Sequence, residues 1–463
     1  MTHAYSLNGY WIALDVYSGA IHLMDEVSLE AIRLYETFSG EETISRLLRM
    51  FPGHADLNIA SAAELLAELD KLKAAGKLYT PDSFQGKAGI LKKDSTVVKA
   101  LCLHVAHACN LACSYCFAGQ GKYQGQAALM SAEVGRKALD FLIAHSGSRR
   151  NLEVDFFGGE PLLNWNLVKE LVAYGHELEN KYNKLFRFTI TTNGVLLDDE
   201  VIEFCCREMQ NVVLSLDGRR EVHDRFRVDN KGQGSYEAVV QNFQRFTRAR
   251  GEKGYYIRGT FTRHNLDFLE DILHMADLGF TQLSMEPVVT DPESPSAIRD
   301  EDLPVLLRQY ERLAVEMLNR KRQGKGFDFY HYNIDLAHGP CVYKRLSGCG
   351  SGTEYLAVTP AGDLYPCHQF VGEESYKLGD LDRGITNIEL QDEFRSNNLY
   401  AHPECGECWA KFYCAGGCAA NACHAAGSIH GIYRLGCELL KKRIECAIML
   451  QAALLEDKEA QVP

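Results

Sequence analysis

The chain runs to 463 residues, near the size of three ordinary domains, and its 46% hydrophobic and 24% charged residues exclude disorder, a collagen-like repeat and a membrane bundle. Its 49 Lys and Arg against 62 Asp and Glu give a net charge of −13, the wrong sign for a chain that grips nucleic acid by neutralising phosphates; only a local basic groove stays open to such a partner. The 16 cysteines fall in clusters: four between Cys102 and Cys116, the pair Cys205 and Cys206, and ten between Cys341 and Cys446.

Small secreted proteins spread cysteines as disulfides to compensate for a weak core, whereas this chain is long enough to bury several cores. Its N-terminus, MTHAYSLNGYWIALDVYSG, lacks the basic start and unbroken apolar run of a signal peptide, and no stretch of about 18 apolar residues reads as a membrane span. The compartment is read as a reducing cytoplasm, and the clusters as metal sites.

In chain order, Tyr10–Asp15 and Ile21–Leu23 alternate across the turn Tyr17-Ser18-Gly19-Ala20, which predicts a small hairpin or three-stranded sheet. Helical patterns follow at 28–37, 41–50 and 61–75, giving a winged-helix-like module, and 80–96 reads as a linker. From about 100 to 290 a short apolar strand and an amphipathic helix alternate. The strands are Leu101–His107, Leu152–Phe157, Phe186–Thr192, Val212–Leu216, Tyr256–Phe261 and Gln282–Glu286; the helices are 131–145, 165–180, 198–209, 235–250 and 266–278.

Strands separated by helices run parallel, and functional residues gather at their C-terminal ends. Six such units predict an α/β fold, a partial (β/α)6 TIM-like barrel rather than a closed eightfold one. A helix at 300–322, the aromatic Phe327–Asn333, a cysteine-rich region and a long helix at 433–456 complete the chain. The run Lys441, Lys442 and Arg443 reads as a solvated face. The divisions expected are 1–95, 96–335 and 336–463.

Directly after the first strand comes Cys109-Asn-Leu-Ala-Cys113-Ser-Tyr-Cys116. Structural zinc wants four closed ligands, usually from paired knuckles. Three thiolates on one loop instead suit a cubane iron–sulfur cluster with one iron open to a small ligand. The spacing, with an aromatic before the last cysteine, here Tyr115, resembles the radical S-adenosylmethionine (SAM) superfamily. Gly158-Gly159-Glu160-Pro161 at the second strand's end is similar to the segment that lines the methionyl amino group of SAM. After the fourth strand come Ser215-Leu216-Asp217-Gly218 and His223-Asp224-Arg225-Phe226-Arg227. The resemblance implies that Ser215 lies near the ribose and that Arg227 pairs with the SAM carboxylate. His104 and His107, on an apolar strand, are read as structural.

Cys349, Gly362, Cys367, Cys405-x2-Cys408-x5-Cys414-x3-Cys418 and Cys437 resemble the seven-cysteine SPASM extension. That resemblance implies two auxiliary [4Fe–4S] clusters, hence three in all. Cys405, Cys408, Cys414 and Cys437 would ligate one; Cys349, Cys367 and Cys418 the other. Cys341 sits where some relatives supply a fourth ligand to the second cluster; either it ligates, or that cluster keeps an open iron. Zinc knuckles are the plainer alternative for the C-x2-C pairs. Cys102, Cys205, Cys206, Cys423 and Cys446 fit neither pattern and are read as core thiols.

The N-terminal module looks like the PqqD-like peptide recognition element, which binds a leader peptide as an added strand. Where sulfatase maturases carry an aspartate after the cysteine of the G-x4-C element, this chain has His368. In overall layout the chain most resembles the thioether-forming maturases of six-cysteine (SCIFF) peptides. The implied partners are a cysteine-rich precursor peptide and an electron donor such as flavodoxin or ferredoxin, with neither nucleic acid nor membrane. Carbon–carbon crosslinking, formylglycine formation and a non-enzymatic iron–sulfur or zinc protein are the alternatives.

Overall fold

The computed structural model describes residues 1–87, 97–336 and 345–459. Cys341 lies outside the described residues, so its part in a cluster is not addressed by the fold.

The N-terminal strands β1 (Thr2–Leu7), β2 (Tyr10–Asp15) and β3 (Ile21–Met24) form an antiparallel meander in that order. Helices α1 (Glu26–Tyr35), α2 (Gly40–Met50) and α3 (Ile59–Ala74) follow, opened by the side chains of Asp25, Ser39 and Asn58, which accept the first free backbone N–H groups. Their apolar faces close over the sheet around Ala13, Leu29, Leu47 and Leu69.

The middle of the chain lays down β4 (Ala100–His107), the short β5 (Ala128–Leu129), α4 (Ala132–His145), β6 (Asn151–Gly158), α5 (Trp165–Tyr182), β7 (Leu185–Thr192), α6 (Asp199–Glu208) and β8 (Asn211–Ser215). It continues through α7 (Arg220–Phe226), α8 (Tyr236–Arg250), β9 (Tyr256–Phe261), α9 (Phe268–Asp277), β10 (Gln282–Pro287), α10 (Leu303–Arg322) and β11 (Asp328–Phe329). Strands β4, β6, β7, β8, β9, β10 and β11 lie side by side in chain order, each pair parallel. The sheet thus gains a seventh parallel strand, β11, too short to announce itself by alternation.

Burial alternates along these strands. Leu152, Val154 and Phe156 of β6, like Ile257 and Phe261 of β9, are fully buried in the main core, while Asp155, Phe157, Ser215, Arg258 and Thr260 keep some exposure on the opposite, open face.

The C-terminal region is not a separate sheet. Strand β12 (Tyr355–Val358) pairs parallel with β4, and β13 (Asp363–Tyr365), β14 (Gly379–Asp380) and β15 (Gly384–Ile385) extend the same sheet antiparallel. Helices α11 (Ile388–Ser396), α12 (Ala419–Ala426) and the long α13 (Arg434–Glu459) complete it.

Three expectations are corrected. The start of the presumed linker is docked: Phe84 packs edge-on against Phe412, and Asp82 pairs with the fully buried Lys411 at 3.1 Å; residues 88–96 lie outside the described set. The run Lys441–Arg443 is not a solvated face, because α13 turns Arg443 inward, where it is 7% exposed. Of the unassigned cysteines, Cys102, Cys205 and Cys446 are buried, but Cys206 and Cys423 are only partly so.

Candidate functional site

The loop after β4 carries Cys109, Cys113 and Cys116 and is strapped down by its own backbone. Ala112 N donates to Val228 O at 2.7 Å and Ser114 N to Phe226 O at 3.2 Å, so the segment after α7 supports the loop from below. Asp217, past the end of β8, is fully buried and accepts from Tyr115 Oη at 2.5 Å, from Arg227 Nε and Nη2 at 2.9 and 3.1 Å, and from Thr260 N at 2.9 Å. Burial works to raise the Asp217 carboxyl, yet the Arg227 guanidinium overcomes it and holds the group below the usual carboxylate range. The guanidinium carbon also stands 5.5 Å from the centre of the Tyr115 ring. Arg227 is therefore placed beside the cysteine loop, where its charge bears on Cys113, but with its fork closed on Asp217.

The glycine pair serves the same loop. A Cβ on Gly158 would meet Ala106 O at 2.2 Å, and one on Gly159 would meet Ala108 O at 2.2 Å. Only glycine lets β6 lie this close to the chain entering the cysteines. Glu160 is turned inward: it accepts from Thr192 Oγ1 at 2.7 Å, Asn193 N at 2.8 Å and Leu162 N at 3.1 Å, with no exposed surface. Burial pushes its carboxyl up to about 7. Its observed work is to tie the ends of β6 and β7 together, rather than to stand open to an ammonium. Ser215 keeps partial exposure on the open face at the end of β8.

The described thiols fall into three neighbourhoods. Burial above all pushes Cys109 up to about 12 against the Leu111 N–H, and Glu160, Cys113 and Cys116 act in the same direction. Burial, then Cys437 and Cys408, raise Cys405 to about 11; Cys414 rises to about 12 by burial and by Cys437, Cys405 and Cys408. Cys367 is raised by burial, with Cys418 and Cys349 adding to it. Cysteines up to 69 residues apart in sequence thus bear on one another, in groupings like those the SPASM resemblance implies. All described cysteines are free thiols.

Among the described residues, no three His, Cys, Asp or Glu side chains converge tightly enough to hold a single metal ion. Sets of three or four thiols, the donor type that iron–sulfur clusters take, fit a cubane cluster by their chemistry. His104 and His107 are a mutually bonded buried pair, Nδ1 to Nε2 at 3.1 Å, with the His107 ring stacked on Tyr123 and the His104 ring tilted against it. His402 bonds Asn397 and the His430 carbonyl, so it too is structural. No helix among the described residues is long and apolar enough to cross a membrane.

Sequence reasoning quoted Asp217 but gave it no role; its place two residues after Ser215 and ten before Arg227 was the available signal. Asn193 was likewise passed over, though its Nδ2 donates to Asn110 Oδ1 at 2.8 Å beside Cys109.

Residues 103–276 match the model of the radical SAM superfamily, and residues 349–409 that of SPASM, an iron–sulfur cluster-binding domain. A cysteine-type anaerobic sulfatase-maturating enzyme of Clostridium novyi (strain NT) is 24% identical over 331 residues, 68% of this chain and 85% of that protein. The structure of anSMEcpe with bound AdoMet and the Kp18Cys peptide superposes with a TM-score of 0.63 at 21% identity, covering 77% of this chain and 99% of the other. Streptococcus suis SuiB bound to its precursor peptide SuiA gives a TM-score of 0.53 at 16% identity over 93% and 97% of the two chains. These structural likenesses carry the fold.

Proposed function

Proceeding from a chain that carries a radical SAM domain and a SPASM domain, we propose that it is a peptide maturase that forms intramolecular thioether links, cysteine sulfur to carbon, in a cysteine-rich precursor peptide. The observation that carries the reading is the presence of three separate thiol neighbourhoods, joined to an N-terminal module whose strand β3, among the described residues, pairs only with β2. A free strand edge suits an incoming leader peptide. His368, standing where sulfatase maturases have an aspartate, argues against formylglycine formation.

In this reading Cys109, Cys113 and Cys116 hold the site cluster, Cys405, Cys408, Cys414 and Cys437 one auxiliary cluster, and Cys349, Cys367 and Cys418 the other. When bound, the site cluster with SAM supplies one-electron cleavage to methionine and a 5′-deoxyadenosyl radical that removes hydrogen from an unactivated carbon. The Asp217–Arg227–Tyr115 unit keeps the cysteine loop rigid and aims a positive charge at the SAM carboxylate end. Ser215 would lie near the ribose, and the main chain of Gly158 and Gly159 would line the amino end.

Forming each link removes two hydrogens from the peptide: one would leave as a hydrogen atom to the 5′-deoxyadenosyl radical, the other as the thiol proton together with an electron that an auxiliary cluster would accept. Anaerobic reconstitution with the precursor is therefore expected to give a mass loss of two hydrogens per link, with the linked cysteines no longer alkylated. Intact thiols after turnover overturn the assignment, and the same mass loss with free thiols points to carbon–carbon joining.

A further inference from the structure

Four elements far apart in the chain bring charged side chains together on the open face. Arg258 sits in β9, Glu286 in β10, His331 in the helical turn after β11, and Arg443 in α13. Glu286 Oε2 lies 3.5 Å from Arg443 Nη1, and its Oε1 3.3 Å from His331 Nε2. Arg443 Nη1 is 3.3 Å from His331 Nδ1, and its Nε donates to Tyr310 Oη at 3.0 Å. Ser284 Oγ lies 3.2 Å from His331 Nε2. The single carboxylate of the recess is thus committed to Arg443 and His331.

Arg258 differs from these. Its side chain is exposed on the open face, and none of the described residues forms a hydrogen bond or ion pair with its guanidinium. Its charge nevertheless bears on Glu286, His331 and His368, so it stands among them. Two guanidiniums against one carboxylate leave an excess positive charge inside a chain whose net charge is −13. The register adds the position: Arg258 pairs with Ser215 on one side and Ser284 on the other. Neighbouring strands lie about 4.8 Å apart, so this open guanidinium stands one strand from the serine assigned to the SAM ribose.

We propose that Arg258 anchors a carboxylate of the substrate peptide, in a recess whose shape is fixed by Glu286, His331 and Arg443. A guanidinium offers two parallel donors that match a carboxylate, giving orientation as well as affinity. Held there, the peptide presents its reacting carbon beside the ribose end of SAM, the kind of positioning that hydrogen abstraction requires. The proposal rests on the peptide-maturase reading for the class of substrate, but not on the thioether. The carboxylate comes from an acidic side chain or from the chain end.

The test uses the anaerobic holoenzyme and phenylglyoxal, which modifies accessible guanidiniums, with peptide mapping by mass spectrometry to read Arg258 alone. Three probes are compared: N-acetylglutamate α-methylamide for a side-chain carboxylate, N-acetylglycine for a chain end, and neutral N-acetylglutamine methylamide. Exposed Arg149 is the internal control. Modification of Arg258 is expected to slow by about fivefold or more with one of the acids and not with the amide; the acid that protects names the source. Equal modification with all three, or no modification of Arg258, overturns the proposal. With the cysteine-rich precursor as substrate, R258M is expected to raise KM by about tenfold or more with little change in kcat, and R258K to recover part of the loss. A fall in kcat at unchanged KM overturns it. Because the protection arm needs no turnover, it succeeds or fails independently of whether a thioether is the product.

Discussion

The two cysteine regions are built on different principles. The first takes all three thiols from eight consecutive residues and fixes them with buried polar bonds: Asp217 to Tyr115 and Arg227, and backbone contacts to Phe226 and Val228. The second gathers its thiols from segments between Cys349 and Cys437 that carry little regular structure. It is steadied from outside: by β12 on the edge of β4, by the stacking of His3 on Trp409 with ring centres 3.7 Å apart, and by Asp82 reaching Lys411. One site is held by polar bonds to a single neighbouring segment, 217–228, the other by several elements packed around it.

The largest expected effect breaks the two regions apart by metal content. Cys109→Ser is expected to remove about four irons per chain and abolish SAM cleavage, whereas Cys414→Ser removes about four irons but leaves SAM cleavage to methionine and 5′-deoxyadenosine while crosslinking is lost. Iron analysis and product chromatography read both. Equal loss of SAM cleavage in the two variants would show that the regions do not divide the labour.

Next in size are the two buried ion pairs. Asp217→Asn strands Arg227 beside the cysteine loop, and Asp82→Asn strands Lys411, whose side chain has no exposed surface. Each is expected to lower stability by about 3 kcal/mol in denaturant unfolding. Only Asp217→Asn should also weaken SAM binding, since Asp82 touches the second region alone. A Asp82→Asn protein with impaired SAM binding contradicts the contrast.

The smallest effect is one of pH. His223, on α7 beneath the first loop, accepts from Asp217 N at 3.3 Å and bonds Ser235 Oγ at 2.9 Å. Burial pushes it down to about 4, with Arg227 acting the same way against Asp217 and Asp224. With its folded value depressed, protonation favours the unfolded chain. Stability contributed by neutral His223 is full above the ordinary histidine value and falls as pH drops below it. From pH 7.5 to 5.5 the native protein should lose about 1 kcal/mol relative to His223→Gln. Parallel pH curves for the two proteins would sink this account.

Much of this was legible in the chain itself. The strands at β6, β7, β8, β9 and β10 and the helices α5, α6, α8 and α9 between them were read to within a few residues, because alternation and helical spacing are local signals, whereas the seven-residue α7 was missed. The short strands β11, β12, β14 and β15 were not, since two to four residues carry no period. The motif around Glu160 was legible, but the bonds that enclose its carboxylate come from Thr192 and Asn193, at the end of a different strand.

The SPASM resemblance implied which thiols belong together, and Cys405, Cys408, Cys414 and Cys437, like Cys349, Cys367 and Cys418, do bear on one another in the fold. It did not reveal that Arg443 turns inward, that the segment holding Asp82 is docked, or that Arg258, Glu286, His331 and Arg443 meet. Those side chains come from elements as much as 185 residues apart. Their meeting depends on how α10 and α13 pack beside β10, a long-range arrangement that leaves no periodic trace in the sequence. The chemistry of the cofactors is written in short motifs, whereas the shape and charge of the recess that receives a substrate belong to tertiary packing.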